Sequence, residues 1–317
     1  MPKRRSTTEW IKIKIDMATK FNRNLRRRET LKFWLYISPW IIGFLCFTAI
    51  PIAVSFVLSF TTARVATLLR DPLHFVGFLN YREIFTVDPM FLRSIGNTFL
   101  YSFGKVFLSI FLALLVALLL NQKFRGRNVY RALIYTPCII PAVASGLLMQ
   151  LIFFQDRSIL VYVFDFLGLG RIEFGSRAWA MPTLIVSGAF WGIGGNMVLI
   201  LAGLQNVPSD IMEAAELDGA NGTQKLWHII LPMISPTLFF MLVTGFISGL
   251  QAYAEIELVT GRSEHTMTMA MFVIDNAFGG IGMGYACAAA WVIFAIILVF
   301  TLVFYKVTIK RVFYMGE

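Results

Sequence analysis

The chain has 317 residues, 57% of them hydrophobic and only 15% charged, with a mean hydropathy of +0.71, a balance that excludes an ordinary soluble domain and places the chain in a bilayer. Its formal net charge of +10 would suit nucleic acid, but the basic residues crowd ahead of the first apolar run, which argues against that partner. Cys46, Cys138 and Cys287 each lie in an apolar run, and His74, His228 and His265 share no ligand spacing, so neither a disulfide framework nor a catalytic metal site has support.

Residues 1 to 32 hold eleven Lys and Arg, the mark of a cytoplasmic flank under the positive-inside rule. Within this tail Trp10, Ile13, Met17, Phe21 and Leu25 fall at helical spacing, consistent with a basic amphipathic helix on the inner membrane surface. Its Ile-Lys alternation fits a strand equally well, and a disordered basic tail is a third reading. The apolar run that follows is longer than the roughly 7 to 15 residues of a signal-peptide core, so it is expected to remain as an anchor.

A hydrocarbon core about 30 Å thick needs about 20 apolar residues in a helix. Six segments pass that test: Phe33 to Phe60, Ile95 to Leu120, Ala132 to Phe154, Trp179 to Leu204, Pro236 to Tyr253 and Tyr285 to Tyr305. The expected fold is therefore an all-α integral membrane domain of six transmembrane helices over residues 33 to 310, with a short tail at 311 to 317. Six crossings return both termini to the inner side. Nineteen Lys and Arg then fall in inner segments and eight in outer loops, a bias supplied mostly by the N-terminal tail. Between spans three and four, DRSILVYVFDFLGLG is expected to form a short interfacial helix. Lys105 is the one basic residue well inside a predicted span, where its stem would let it snorkel toward the surface, and Glu255 and Glu257 are expected at the outer end of span five, in water or at the interface.

The loop at 205 to 232 carries Asp210, Glu213, Glu216 and Asp218 against Lys225 alone, where orientation by itself would favour basic residues. Ser209 is a plausible N-cap after Pro208, Gly219 a left-handed helix stop, and a second helix from about Thr223 to Ile230 would be closed by Pro232. The product is a helix-turn-helix knuckle. Its acids fit a solvated helix whose dipole they favour, and equally a docking face with Ile211, Ala214, Ala215 and Leu217 as small and apolar contacts.

The string EAAELDGANGTQKLWHIILP, with Glu213, Ala214, Ala215 and Gly219 at the expected spacing, resembles the EAA motif of bacterial ABC importer membrane subunits. IPIAVSFVLSF, FVGFLNYREIF, Asn97-Thr98, LLLNQKFRGRNVYRALIYTPCIIP, LAGLQNVPSDIMEAAELDGA and GYACAAA look like the carbohydrate-uptake class of that family, across roughly residues 33 to 310. The resemblance implies a permease of the bacterial cytoplasmic membrane for a sugar or oligosaccharide. It would pair with a second, homologous permease, sit on two cytosolic ATPase subunits and receive solute from an extracellular or periplasmic binding protein. Glu213, Ala214, Ala215, Asp218 and Gly219 would form the ATPase-coupling helix. No cofactor is implied in this chain; ATP and Mg belong to the ATPase subunits, and GANGTQK is not a phosphate-binding G-x-x-x-x-G-K-[ST] loop. Trp191, Asn196, Ser248, Gln251 and Tyr253 sit where the family lines its translocation path, with the glycines of WGIGGN making room, although each also fits a packing role. The chain departs from the family after span five, where Tyr253-Ala254-Glu255-Ile256-Glu257 and Thr260-Gly261-Arg262-Ser263 replace a Phe-Asp pair and a Gly-rich turn. A permease for glycerol phosphate is the nearest alternative. An intramembrane enzyme would want paired carboxylates or a nucleophile with a base at membrane depth, of which the spans offer few, and an unrelated six-span scaffold leaves the motif string unexplained.

Overall fold

The computed structural model describes residues 29–30, 32–64, 73–154, 158–168, 170, 173–279 and 282–309. The expectations for the basic tail at 1–28 and for the C-terminal residues from 310 onward fall outside them. The chain divides into two units, residues 1–57 and 58–317. In the first, the described chain is an apolar helix, α1 (Lys32–Leu58), with a π-helical stretch at Leu45–Ala49 shortly before Pro51, a residue that lacks the N–H an α-helix would use.

The second unit is built on one long helix. After α2 (Leu79–Thr86), α3 (Pro89–Asn121) starts where Asp88 accepts a bond from Met90 N at 2.9 Å and Pro89 occupies the first turn. Its 33 residues span about 50 Å, well beyond the hydrocarbon thickness. Ser94, Thr98, Ser102, Ser109, Ala113 and Ala117 are buried at spacings of four and seven, so a stripe of small residues faces the protein. Such stripes let helix backbones approach closely in a medium where apolar side chains gain little from leaving lipid. Several helices meet this stripe, and α7 (Ala180–Gln205) does so at Ser109, which lies against Gly192. α10 (Ser235–Leu250) packs on α3 beside it, where Gly245 meets Val106 and Gly249 meets Ser102. The motif pair Asn97-Thr98 serves the fold itself, since Thr98 Oγ1 accepts from Met269 N at 2.8 Å and Asn97 Nδ2 donates to Met267 O at 3.0 Å, fixing the start of α12 (Met269–Phe278).

α13 (Met283–Ile309) begins against the chain that follows α1. A Cβ on Gly284 would collide with the Thr61 carbonyl oxygen, and Gly284 N donates to Ala63 O at 2.9 Å, so the backbones are in direct contact there. Asn80 of α2 ties the same loop by donating to Ser59 O at 2.8 Å and Thr61 O at 3.0 Å.

Among the described residues, five helices are long and apolar enough to cross a membrane, and a sixth crossing is counted if a bent pair is one span. The second, fourth and sixth expected spans correspond to α3, α7 and α13. The third expected span, Ala132–Phe154, is not one helix: α4 (Arg127–Tyr135) passes into a 3-10 turn at Thr136–Ile139, and α5 (Ala142–Met149) starts after Pro141. Pro137 and Pro141 remove two backbone donors and force the break. The apolar stretch that passes the length test here is Ala142–Phe166, which crosses residues outside those described. It ends in α6 (Ile159–Phe166), the short helix expected between spans three and four, capped by Ser158. The fifth expected span, Pro236–Tyr253, ends earlier, at Leu250, and is joined to the preceding helical segment at a bend of 64°.

Candidate functional site

Two places bring the expected functional residues together. The first is the knuckle between α7 and α10. Its first helix, α8 (Ser209–Leu217), has Pro208 at the N-cap position. Ser209 is therefore the first helical residue rather than the cap, and its hydroxyl turns to Asp210 Oδ1 at 3.3 Å. The stop is as expected. Gly219 has φ +79°, Gly219 N donates to Glu216 O at 3.0 Å and Ala220 N to Ala215 O at 2.9 Å, the paired bonds of a Schellman turn.

The second helix of the knuckle, α9 (Gly222–Met233), starts on a reciprocal cap in which Gln224 N donates to Asn221 Oδ1 at 2.9 Å and Asn221 N to Gln224 Oε1 at 2.8 Å. It does not close at Pro232. A π-helical stretch at Leu226–Ile230 carries the chain into Leu231–Met233, and the break falls at Ile234, buried in a core cluster that includes Ala117, Met197, Ile200 and Met241. Lys225 Nζ reaches across the turn to Glu216 Oε1 at 2.8 Å, so the angle between α8 and α9 is held by a side-chain bond as well as by Gly219. That bond, reinforced by the ammonium charge, draws the Glu216 carboxyl below its ordinary pKa. Glu213, Ala214, Asp218 and Gly219 are exposed and Ala215 is half-buried. Leu217 is 90% and Trp227 64% exposed, large apolar side chains presented beside the acids. Apolar anchors ringed by charge are what a groove on a partner receives.

The second place is a cleft of about 210 Å³ between α3, α7 and α10, lined among others by Lys105, Ser109, Asn196, Thr244 and Ser248. Asn196 Nδ2 donates to Ser109 Oγ at 2.8 Å, joining α7 to α3 on its wall. Two of the five expected path residues, Asn196 and Ser248, therefore line one cleft. The other three do not. Trp191 packs against the larger core cluster and its carbonyl accepts from Cys138 Sγ at 2.9 Å. Gln251 is the exposed C-cap of α10, and Tyr253 precedes α11 (Ala254–Thr260), where a hydrogen bond to Glu257 pushes its hydroxyl pKa up. Of the glycines of WGIGGN, Gly192 lines the cleft and lies against Ser109 Oγ, while Gly194 makes room for protein, since a Cβ there would strike Ile134 O and the Tyr135 backbone.

Sequence reasoning missed Lys105, Ser109 and Thr244 as cleft residues. Lys105 does not snorkel: its Nζ donates to Glu255 Oε1 at 2.5 Å, and the Tyr101 hydroxyl donates to the same oxygen at 2.6 Å. Glu255 is accordingly not a free outer-end carboxylate but the anchor of that pair. Glu257 is half-buried and lies within 3.3 Å of Arg262, which also reaches Asp275 at 2.6 Å. Ser109 lies four residues beyond Lys105 on the same helical face, a signal available in the sequence.

The family described as binding-protein-dependent transport system inner membrane component matches residues 106–314. A probable ABC transporter permease protein, YesP of Bacillus subtilis (strain 168), is 36% identical over 304 residues, covering 94% of this chain and 96% of the relative. The arabinooligosaccharides transport system permease protein AraP of the same organism is 28% identical over 285 residues, covering 87% and 88%. In fold, the chain resembles one from the crystal structure of a bacterial ABC transporter involved in the import of the acidic polysaccharide alginate, with a TM-score of 0.77 and 22% identity over 92% of this chain and 99% of that one.

Proposed function

The chain belongs to the family of binding-protein-dependent transport system inner membrane components, and from that premise we propose that it is one membrane half of an ATP-driven importer for a sugar or oligosaccharide. A relative that serves arabinooligosaccharide transport supports the sugar class. In this reading the chain is not itself catalytic. A second, homologous permease completes the path, two cytosolic ATPase subunits carry ATP and Mg, and a binding protein outside the cytoplasmic membrane delivers the solute. Both termini and the knuckle face the cytoplasm.

The observation that carries the coupling role is the exposed knuckle, whose acids and apolar side chains are held at a fixed angle by the Gly219 turn and the Lys225–Glu216 bond. Glu213 meets a basic group at the rim of the ATPase groove, Ala214 and Ala215 permit close approach, and Asp218 and Gly219 set the turn. Motion of the ATPase then enters α9 and passes to α10, which lines the cleft with Thr244 and Ser248.

Two substitutions test the coupling. Gly219→Val forces a β-branched residue to φ +79°, a conformation that costs an ordinary residue roughly 1–2 kcal/mol and a β-branched one more. Ala215→Glu adds bulk and charge to the docking face. Both variants are expected to insert normally and either to lose co-purification with the ATPase subunits or to bind them without solute-stimulated ATP hydrolysis. Wild-type transport in proteoliposomes for both would refute the coupling role and leave the acids as a solvated loop.

A further inference from the structure

Lys105 lies near the middle of α3, and the cleft it lines otherwise offers only neutral groups: the hydroxyls of Ser109, Thr244 and Ser248, the Asn196 amide and apolar side chains. An ionisable side chain at such depth is costly to keep and marks function more often than packing. Its counter-ion stands elsewhere. Glu255 comes from α11, is not among the residues lining the cleft, and its Oε1 already takes bonds from both Lys105 and Tyr101. What a solute meets is therefore the positive end of the pair. The ammonium has three donors, of which Glu255 takes one, and it sits 5.2 Å from the centre of the Tyr101 ring, which keeps the cation in place without using a donor.

Building on the importer reading above, we propose that this cleft selects a solute bearing an anionic group, such as the carboxylate of a uronic acid sugar, and that Lys105 is the residue that recognises it. A cleft of about 210 Å³ falls below the roughly 300–1,000 Å³ of pockets that engulf a drug-sized ligand, so it accepts one acidic ring at a time rather than a whole oligosaccharide. The anion takes the remaining ammonium donors, while Asn196 and the three hydroxyls serve the ring hydroxyl groups. Glu255 competes for the same ammonium and so lowers the affinity, which lets the solute leave again.

The test uses the complete transporter in lipid nanodiscs, with calorimetric binding of digalacturonate, cellobiose and glycerol 3-phosphate, and with ATP hydrolysis followed in parallel. Digalacturonate should bind more tightly than cellobiose, and Lys105→Gln should weaken digalacturonate by about tenfold or more while changing cellobiose little. Lys105→Arg should keep most of the acid preference. Glu255→Gln should tighten digalacturonate, because the competing carboxylate is gone, an outcome that a purely structural ion pair does not produce. Tighter binding of glycerol 3-phosphate than of digalacturonate would keep the role of Lys105 but reassign the anion to a phosphate. Equal binding of cellobiose and digalacturonate, with Lys105→Gln indifferent, would overturn the inference and leave the sugar importer standing. Failure of all three probes to bind or to stimulate hydrolysis would overturn both.

Discussion

Gly194 and Gly195 are neighbours on α7, yet substituting them should change stability in opposite directions. A Cβ on Gly194 would lie 2.8 Å from Tyr135 Cα and 2.9 Å from Cys138 Sγ, and would also strike Ile134 O. Ordinary contact begins at 3.4 Å, so α7 and the end of α4 must separate, by about 0.6 Å to clear Tyr135 Cα and by more to clear the nearer Ile134 carbonyl oxygen, and two of the three opposing groups are backbone that cannot rotate away. That separation would also strain the bond from Cys138 Sγ to Trp191 O. Overpacking of this kind costs roughly 1–3 kcal/mol, against which replacing a helical glycine with alanine returns about 1 kcal/mol. Gly194→Ala should therefore destabilise the protein, by up to about 2 kcal/mol. A Cβ on Gly195 has its nearest neighbour at 4.0 Å, so Gly195→Ala should keep the helical gain and stabilise by up to about 1 kcal/mol. The check is the midpoint of thermal unfolding in detergent, with both variants scanned at one rate. A shift of the same sign in both would refute the argument that α7 and α4 meet backbone to backbone at Gly194.

Asn196→Ala should weaken solute affinity by roughly twofold to tenfold, the worth of a neutral hydrogen bond, whereas Gln251→Ala, outside the cleft, should leave it within about twofold; the concentration dependence of uptake in proteoliposomes separates them. Asn80→Ala deprives the Ser59 and Thr61 carbonyls of their shared donor and should cost about 1–3 kcal/mol in thermal stability, with insertion unchanged. Because the Glu216 carboxyl is held below its ordinary value of 4.5, the bond from Lys225 contributes fully above that pH and is lost as pH falls through the lowered value; Lys225→Met should return the Glu216 titration, read by carbon NMR, to the ordinary range.

The crossings are legible because a run of about 20 apolar residues is a one-dimensional signal, and a membrane leaves a backbone few alternatives to a helix. The exception, the broken third span, follows from Pro137 and Pro141, both visible in the sequence but outweighed there by the apolar count. Gly219 as a helix stop is readable from residue type, and the Asn221–Gln224 cap is a three-residue spacing that only the structure distinguishes from chance. The cleft is half legible. Asn196 and Ser248 are polar residues in apolar surroundings, but the bond between Lys105 and Glu255 joins residues 150 apart and no local pattern announces it. The glycines of WGIGGN show the same limit: a missing side chain says that something approaches, not whether it is solute or backbone.

The 64° elbow at Ile234 has a mechanical meaning. Its outer arm, Gly222–Met233, measures about 18 Å and its inner arm, Ser235–Leu250, about 24 Å at the helical rise of 1.5 Å per residue. Ile234 is only 1% exposed, wedged among Ala117, Leu120, Met197 and Ile200, so the corner is a fulcrum set in the protein rather than a loose joint. About such a pivot the two arms form a bell crank with a ratio near 4:3. A displacement of about 3 Å at the Asn221 end would swing the Leu250 end by about 4 Å, roughly three-quarters of the rise of one helical turn. On the coupling proposed above, motion entering at the knuckle would reach the cleft wall with greater stroke and less force.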